Sequence, residues 1–149
     1  MEGKVIAVNI SEKKGERKKN ADKVCLRENF GIEGDAHASG EWHRQVSLLG
    51  IESIGKMRSA GLDVSPGDFA ENITTEGIDL PSLPLGTEIT IGDDIELEVS
   101  QIGKVCHDRC AIYYQAGDCV TPKEGIFVRV IKGGWARPGD VIKVRSFEL

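Results

Sequence analysis

The stretch Glu88-Ile-Thr-Ile-Gly-Asp-Asp-Ile-Glu-Leu-Glu-Val-Ser-Gln101 decides the fold class. Two apolar runs, Glu88–Ile91 and Ile95–Gln101, flank Gly92-Asp93-Asp94. A short Gly/Asp joint between two such runs predicts a β-hairpin. Within Glu96-Leu97-Glu98-Val99 polar and apolar residues alternate. That is the pattern of a strand with one face in a core and the other in water.

The same grammar extends outward in both directions. Lys4–Ile10, Val24–Arg27, Gln45–Leu49, Phe69–Thr75, Gly125–Lys132 and Asp140–Arg145 each read as a strand. Between them lie turn signals: Gly31–Asp35, Ser65-Pro66-Gly67-Asp68, Gly133-Gly134 and Arg137-Pro138-Gly139-Asp140. Ser11–Asn20 is polar and reads as a loop, and Pro81 and Pro84 interrupt the chain before the hairpin. Ile51, Ile54 and Met57 recur at helical spacing, with Gly61 placed to stop the helix. A second short helix is expected over His107–Gln115, ending at Gly117. Many short strands with one or two helices predict a mainly β (α+β) chain, folded as a barrel of antiparallel or mixed strands. No repeat or linker is visible, so one domain over residues 1–149 is expected.

Composition narrows the function classes. With 40% hydrophobic and 29% charged residues, the chain reads as an ordinary globular protein. A net charge of −5 argues against general nucleic-acid binding, which phosphate neutralisation drives. No apolar run approaches the roughly 20 residues of a membrane span. No basic stretch followed by an apolar one opens the chain, so a cytoplasmic protein is expected. In that compartment the four cysteines are reactive, metal-binding or buried, not disulfide-forming.

The richest chemistry lies in Gln101-Ile-Gly-Lys-Val-Cys-His-Asp-Arg-Cys110. Cys106 stands among Lys104, Arg109 and His107, and positive neighbours favour the thiolate, the nucleophilic form. A helix starting near His107 would add its dipole. Cys110 follows at i+4, placed to act as a resolving thiol or a second metal ligand. Cys119, His107, His37 and His43 are available as further zinc ligands, although their spacing matches no established zinc pattern. Cys25, inside a strand run, reads as a small buried hydrophobe.

Two other clusters stand out. Gly34–Gln45 combines a turn with His37, Trp42, His43 and Arg44. Arg44 offers a planar fork for phosphate or carboxylate, and Trp42 a face for a flat heterocycle. The plainer alternative is a structured loop in which Asp35 caps a turn, Arg44 pairs with it and Trp42 covers the core. Gly67–Thr74 carries Asn72, whose amide suits either a heterocycle edge or backbone groups at a strand end. Lys13, Lys14, Arg17, Lys18, Lys19 and Lys23 crowd one early segment, either a solvated loop or a basic lid for an anionic ligand.

Taken in order, these segments resemble the MOSC family, the molybdenum-cofactor sulfurase C-terminal type. The matching stretches are Gly31–His37, Trp42–Leu49, Pro66–Ile73, Gly103–His107, Gly125–Phe127 and Gly139-Asp140. The likeness is greatest to small, single-domain bacterial members. It implies a β-barrel-like fold and an association with the molybdenum cofactor (molybdopterin), a pterin carrying a dithiolene and a phosphate. It implies that Cys106 carries sulfur as a persulfide or ligates molybdenum. His107 and Cys110 would assist, with His43, Arg44, Asn72, Lys18, Lys104 and Arg129 as cofactor contacts. It further implies a sulfurtransferase-type role. The partners would be a cysteine desulfurase, which would bring the pyridoxal phosphate, and cofactor-biosynthesis proteins or molybdoenzymes. A cofactor-binding chaperone module and a component reducing N-hydroxylated compounds are the alternative roles within the same resemblance.

Overall fold

The computed structural model describes residues 2–13, 17–103 and 124–145. Its frame is a closed barrel of seven strands. β1 is Glu2–Ile10, β5 Val46–Gly50, β6 Ile73–Glu76, β7 Glu88–Ile91, β8 Ile95–Ile102, β9 Ile126–Lys132 and β11 Val141–Val144. Hydrogen bonding runs β11-β7-β8-β9-β5-β6-β1 and closes through a β1–β11 pairing. The decisive hairpin is present in register, with Glu88 opposite Glu98 and Ile91 opposite Ile95. All pairings in the ring are antiparallel except β5 with β6. Closure removes free strand edges from the ring, which is how a barrel avoids edge-to-edge aggregation.

Alternation fills the interior. Leu97 and Val99 of β8, Ile126, Val128 and Val130 of β9, and Leu48 of β5 are at most 1% exposed and share one apolar cluster. Fully burying one such side chain is worth roughly 1.5–3 kcal/mol, so the barrel interior dominates the favourable side of folding.

The parallel β5–β6 pair needs a crossover, supplied by α1, Ile51–Ser59. Ile54 and Met57 pack with Leu49, Val64 and Phe69 in a second cluster outside the barrel. Gly61, at φ +98°, ends the helix. The Gly61 N–H donates to Arg58 O (3.0 Å) and the Leu62 N–H to Met57 O (3.2 Å), and Leu62 packs on the Met57 cluster. This pair of bonds is the Schellman stop that the Gly61 signal anticipates.

Four further short strands lie among the described residues. β2, Lys19–Ala21, lies on the far half of β1. β3 (Val24–Arg27), β4 (Gly31–Ile32) and β10 (Gly134–Ala136) form a separate sheet, ordered β10-β3-β4. β6 begins at Ile73 rather than at Phe69, because Gly67 and Ala70 take positive φ (95° and 62°) and break the extended run. Cys25 is half-buried on β3, not sealed in the core, because it pairs across to Trp135, which is 54% exposed. The helix expected over 107–115 lies outside the described residues. Among the described residues no helix is long and apolar enough to cross a membrane.

Candidate functional site

The end of the β8–β9 ladder carries the site. Between Val99 and Gln101 the register shifts by one residue, a bulge with Ser100 as the extra residue. Bulges re-aim side chains and recur beside active sites. Here the displaced pair reaches residues that precede β5. The Ser100 hydroxyl donates to His43 O at 2.5 Å. Gln101 Oε1 accepts from Arg44 Nε and contacts His43 Nε2, both at 2.7 Å. Because β9 lies between β8 and β5, residues 43 and 44 must pass over β9 to make these bonds.

Arg44 is thereby clamped. Its guanidinium carbon lies 5.2 Å from the Phe127 ring centre and 5.3 Å from that of Trp42. Trp42 also stacks on His43, with centroids 5.2 Å apart and planes 23° from parallel. Cation–π contacts of this kind stabilise by about 0.5–1 kcal/mol each at exposed sites. Nε is engaged by Gln101, while the two terminal nitrogens have no hydrogen-bonding partner among the described residues. A guanidinium held flat with its outer fork free is suited to bidentate capture of an oxyanion. Trp42, which stacks on His43 and meets Arg44, is 50% exposed beside that fork.

The same glutamine reaches the other way. Gln101 Nε2 donates to Gly103 O at 2.8 Å, and the Gly103 N–H donates to Gly125 O at 2.7 Å. Cys106, His107, Cys110, Lys104 and Cys119 fall between these two glycines, outside the described residues.

Other expected contacts take different places. Lys18 is not an available phosphate anchor. Its side chain and that of Asp35 are both 0% exposed and meet at 2.7 Å. Its ammonium also donates to Ser11 Oγ and meets His37 Nδ1, both at 3.0 Å, so all three donors are engaged. Burial pushes the Asp35 carboxyl up. Bonds from His37, Lys18 and Ser11, with the Lys18 charge, outweigh burial and hold it well below the usual carboxylate range. Asp35 thus pairs with Lys18, not with Arg44.

The basic segment is likewise no free lid where it is described. Arg17 lies 3.8 Å from Asp68, and the Lys23 ammonium sits over Trp135. Asn72 is fully buried and structural. Its Oδ1 accepts from the Ser47 N–H and hydroxyl (3.0 and 3.2 Å), and its Nδ2 donates to Asn9 O (3.2 Å), so it presents nothing to a heterocycle. Arg129 is exposed on the outer face of β9, opposite Glu98 and two residues beyond Phe127. Among the described residues no three His, Cys, Asp or Glu side chains group as a metal site.

Gln101, Ser100 and Phe127 are the site residues that sequence reasoning passed over. Gln101 opens the cysteine segment, but a lone amide carries no chemical signature. Only the bulge gives it a role.

A family model for the MOSC domain matches residues 35–143, most of the chain and all of this site. The chain belongs to the MOSC domain family. Solved structures of similar fold include the YuaD protein from Bacillus subtilis, at 22% identity and TM-score 0.82, covering 99% of this chain and 98% of that one. YiiM from Geobacillus stearothermophilus is similar at 20% identity and TM-score 0.72, over 97% of this chain and 75% of its own. YiiM from Escherichia coli is similar at 22% identity and TM-score 0.68, over 99% and 71%. At such identities the likeness establishes the MOSC fold. Comparison with curated proteins gave no match. Membership relates this MOSC chain to the molybdenum cofactor, as the sequence resemblance implies.

Proposed function

We propose that this MOSC protein is a sulfur carrier of molybdenum-cofactor metabolism. It takes sulfur as a persulfide on Cys106 and passes it to a molybdenum– or tungsten–pterin centre or its precursor. The supporting observation is the bonded path from Arg44 through Gln101 to Gly103. Gly103 and Gly125 are hydrogen-bonded, so the intervening segment leaves and rejoins the barrel at one point. Cys106 is three residue steps along the chain from Gly103, and three steps of fully extended chain span at most about 11 Å. Covalent length therefore limits how far Cys106 can lie from Gly103, the end of that bonded path.

The residues fit an anionic heterocyclic ligand. Arg44 supplies a fork with no hydrogen-bonding partner among the described residues and Trp42 a half-exposed ring, with Arg129 on the same barrel face and Lys104 next in the chain after Gly103. When bound, the cofactor supplies the metal and dithiolene chemistry. The chain's own part is to hold the phosphate and present a sulfur nucleophile.

Loading is a thiol–persulfide exchange. The Cys106 thiolate attacks the outer sulfur of a persulfide on a partner desulfurase. A new S–S bond forms at Cys106, and the donor's S–S bond breaks to leave a thiolate on the partner. The desulfurase carries its own pyridoxal phosphate. Delivery reverses the logic: an acceptor nucleophile takes the outer sulfur and Cys106 leaves as thiolate. If Cys110 attacks the inner sulfur instead, hydrosulfide is expelled and a Cys106–Cys110 disulfide remains. His107, next in sequence, would serve as a proton donor or acceptor.

The sandwiched Arg44 also favours a second reading, a cofactor-binding module with Cys106 as molybdenum ligand and no sulfur turnover, because an oxyanion clamp serves binding whether or not sulfur moves. The deciding experiment loads the protein with a desulfurase and L-cysteine and maps the added sulfur by peptide mass spectrometry. One extra sulfur on the Cys106 peptide, absent in Cys106→Ala, is expected. Equal loading of Cys106→Ala removes the carrier role. Molybdenum bound through Cys106 with no added sulfur selects the binding module.

A further inference from the structure

We propose that Gln101 is the positioning residue of this site, fixing the Arg44 guanidinium and holding His43 as the tautomer whose bare Nδ1 is a hydrogen-bond acceptor. The assignment follows from donor and acceptor identities. Arg44 Nε is a donor in every state, so the Gln101 atom 2.7 Å from it is the amide oxygen. The opposite end agrees: the Gln101 nitrogen faces the Gly103 carbonyl at 2.8 Å, and a carbonyl only accepts. A flipped amide would set two donors against each other at one end and two acceptors at the other. The oxygen is therefore also the partner of His43 Nε2 at 2.7 Å, and that nitrogen must carry a hydrogen. In the neutral ring Nδ1 is then unprotonated. Stacking on Trp42 fixes the ring plane, and the Ser100 hydroxyl fixes the His43 backbone.

A ligand that fits this arrangement offers an oxyanion to Arg44 and an N–H or O–H donor to His43. The ligand class rests on the cofactor reading above, whereas the tautomer does not. Removing Gln101 would free Arg44 Nε to turn its fork and leave the imidazole without a tautomer preference from this bond. Losing that preorganisation means ordering the fork on binding, and anion affinity is expected to fall about tenfold.

Long-range nitrogen–proton NMR of the histidines tests the assignment in the intact protein. With the ring neutral, His43 is expected as the Nε2–H tautomer in the wild type and in Gln101→Glu, whose carboxylate keeps the Arg44 and His43 contacts while giving up the bond to Gly103 O. In Gln101→Leu the tautomer becomes mixed, and affinity for inorganic phosphate, the probe used, falls about tenfold with the fold intact. His43 found as Nδ1–H in the wild type overturns the proposal. So does Gln101→Leu with the wild-type tautomer and phosphate affinity. Should the leucine variant fail to fold, the wild-type and Gln101→Glu spectra decide. Sulfur failing to reach Cys106 while these spectra hold sinks the carrier reading alone. A wrong tautomer with normal sulfur loading sinks the role of Gln101 alone.

Discussion

Replacing Lys18 by Met removes the positive half of an ion pair whose two side chains are both 0% exposed. The Asp35 carboxylate would stay behind in the interior. Among the described residues the Ser11 and His37 backbone N–H groups (3.0 and 3.1 Å) would continue to donate to it, with the His37 imidazole 3.6 Å away. Breaking a buried pair from one side costs about 3–5 kcal/mol. For a domain near this size each kcal/mol moves the midpoint by about 2–4 °C, so Tm should fall by about 10 °C. Lys18→Met with Asp35→Leu removes both charges together and should recover much of that loss. Urea unfolding of both single variants and the double variant closes the cycle. The acid limb supplies the sign. Asp35 titrates below its ordinary value of 3.8 in the folded protein. Its contribution is thus fully present above that value and fades as pH falls toward the folded one, a fade the double variant should lack. Single-replacement costs under about 1 kcal/mol would refute the reasoning, because the pair would then be exchanging with water.

Glu71 runs the opposite way: burial raises its carboxyl above the ordinary 4.5, only partly offset by the Thr74 hydroxyl and nearby backbone amides. Its contribution is complete below that ordinary value and lost as pH rises through the folded one. Glu71→Gln should therefore gain stability over wild type progressively with pH, and a gain equal at pH 5 and pH 8 in thermal melts would contradict this. Gly67→Ala should destabilise by more than about 1 kcal/mol in urea unfolding, since Gly67 sits at φ +95° and a Cβ there collides with the Lys18 carbonyl. Arg44→Met should abolish phosphate binding in calorimetry while changing Tm by only a few degrees, because Arg44 makes surface stacking contacts rather than core ones.

Much of the barrel was legible because its strands alternate. Glu88–Gln101 reads directly as β7 and β8, and the Ile51, Ile54, Met57 spacing with Gly61 reads as α1 and its stop. The elements missed were those that local pattern does not encode. β10 begins at Gly134, in a Gly-Gly pair that reads as loop, and exists because it pairs with β3 across more than a hundred residues. The parallel pairing of β5 with β6 is likewise a tertiary fact. At the site, Arg44 and Trp42 announced themselves by chemistry, but their partners did not. The plain reading of the Gly34–Gln45 loop paired Arg44 with Asp35, an acid of the same loop. The fold instead gives Asp35 to Lys18 and brings Gln101 across β9 to Arg44. Lys18 and Asn72 looked like ligand contacts because a sequence does not reveal that a polar side chain is already satisfied indoors.

Whether the Cys106 sulfur meets the Arg44 fork is tested most directly by thiol crosslinking. Arg44→Cys is made in a chain with Cys25, Cys110 and Cys119 replaced by Ser. A direct disulfide requires Cα atoms within about 7 Å, closer than the length of the lost arginine side chain allows, so the folded protein is treated with a bifunctional maleimide whose span matches that side chain. Rapid, near-complete 44–106 crosslinking is the expected result. A folded protein in which that reagent modifies both thiols separately without joining them would contradict a shared site.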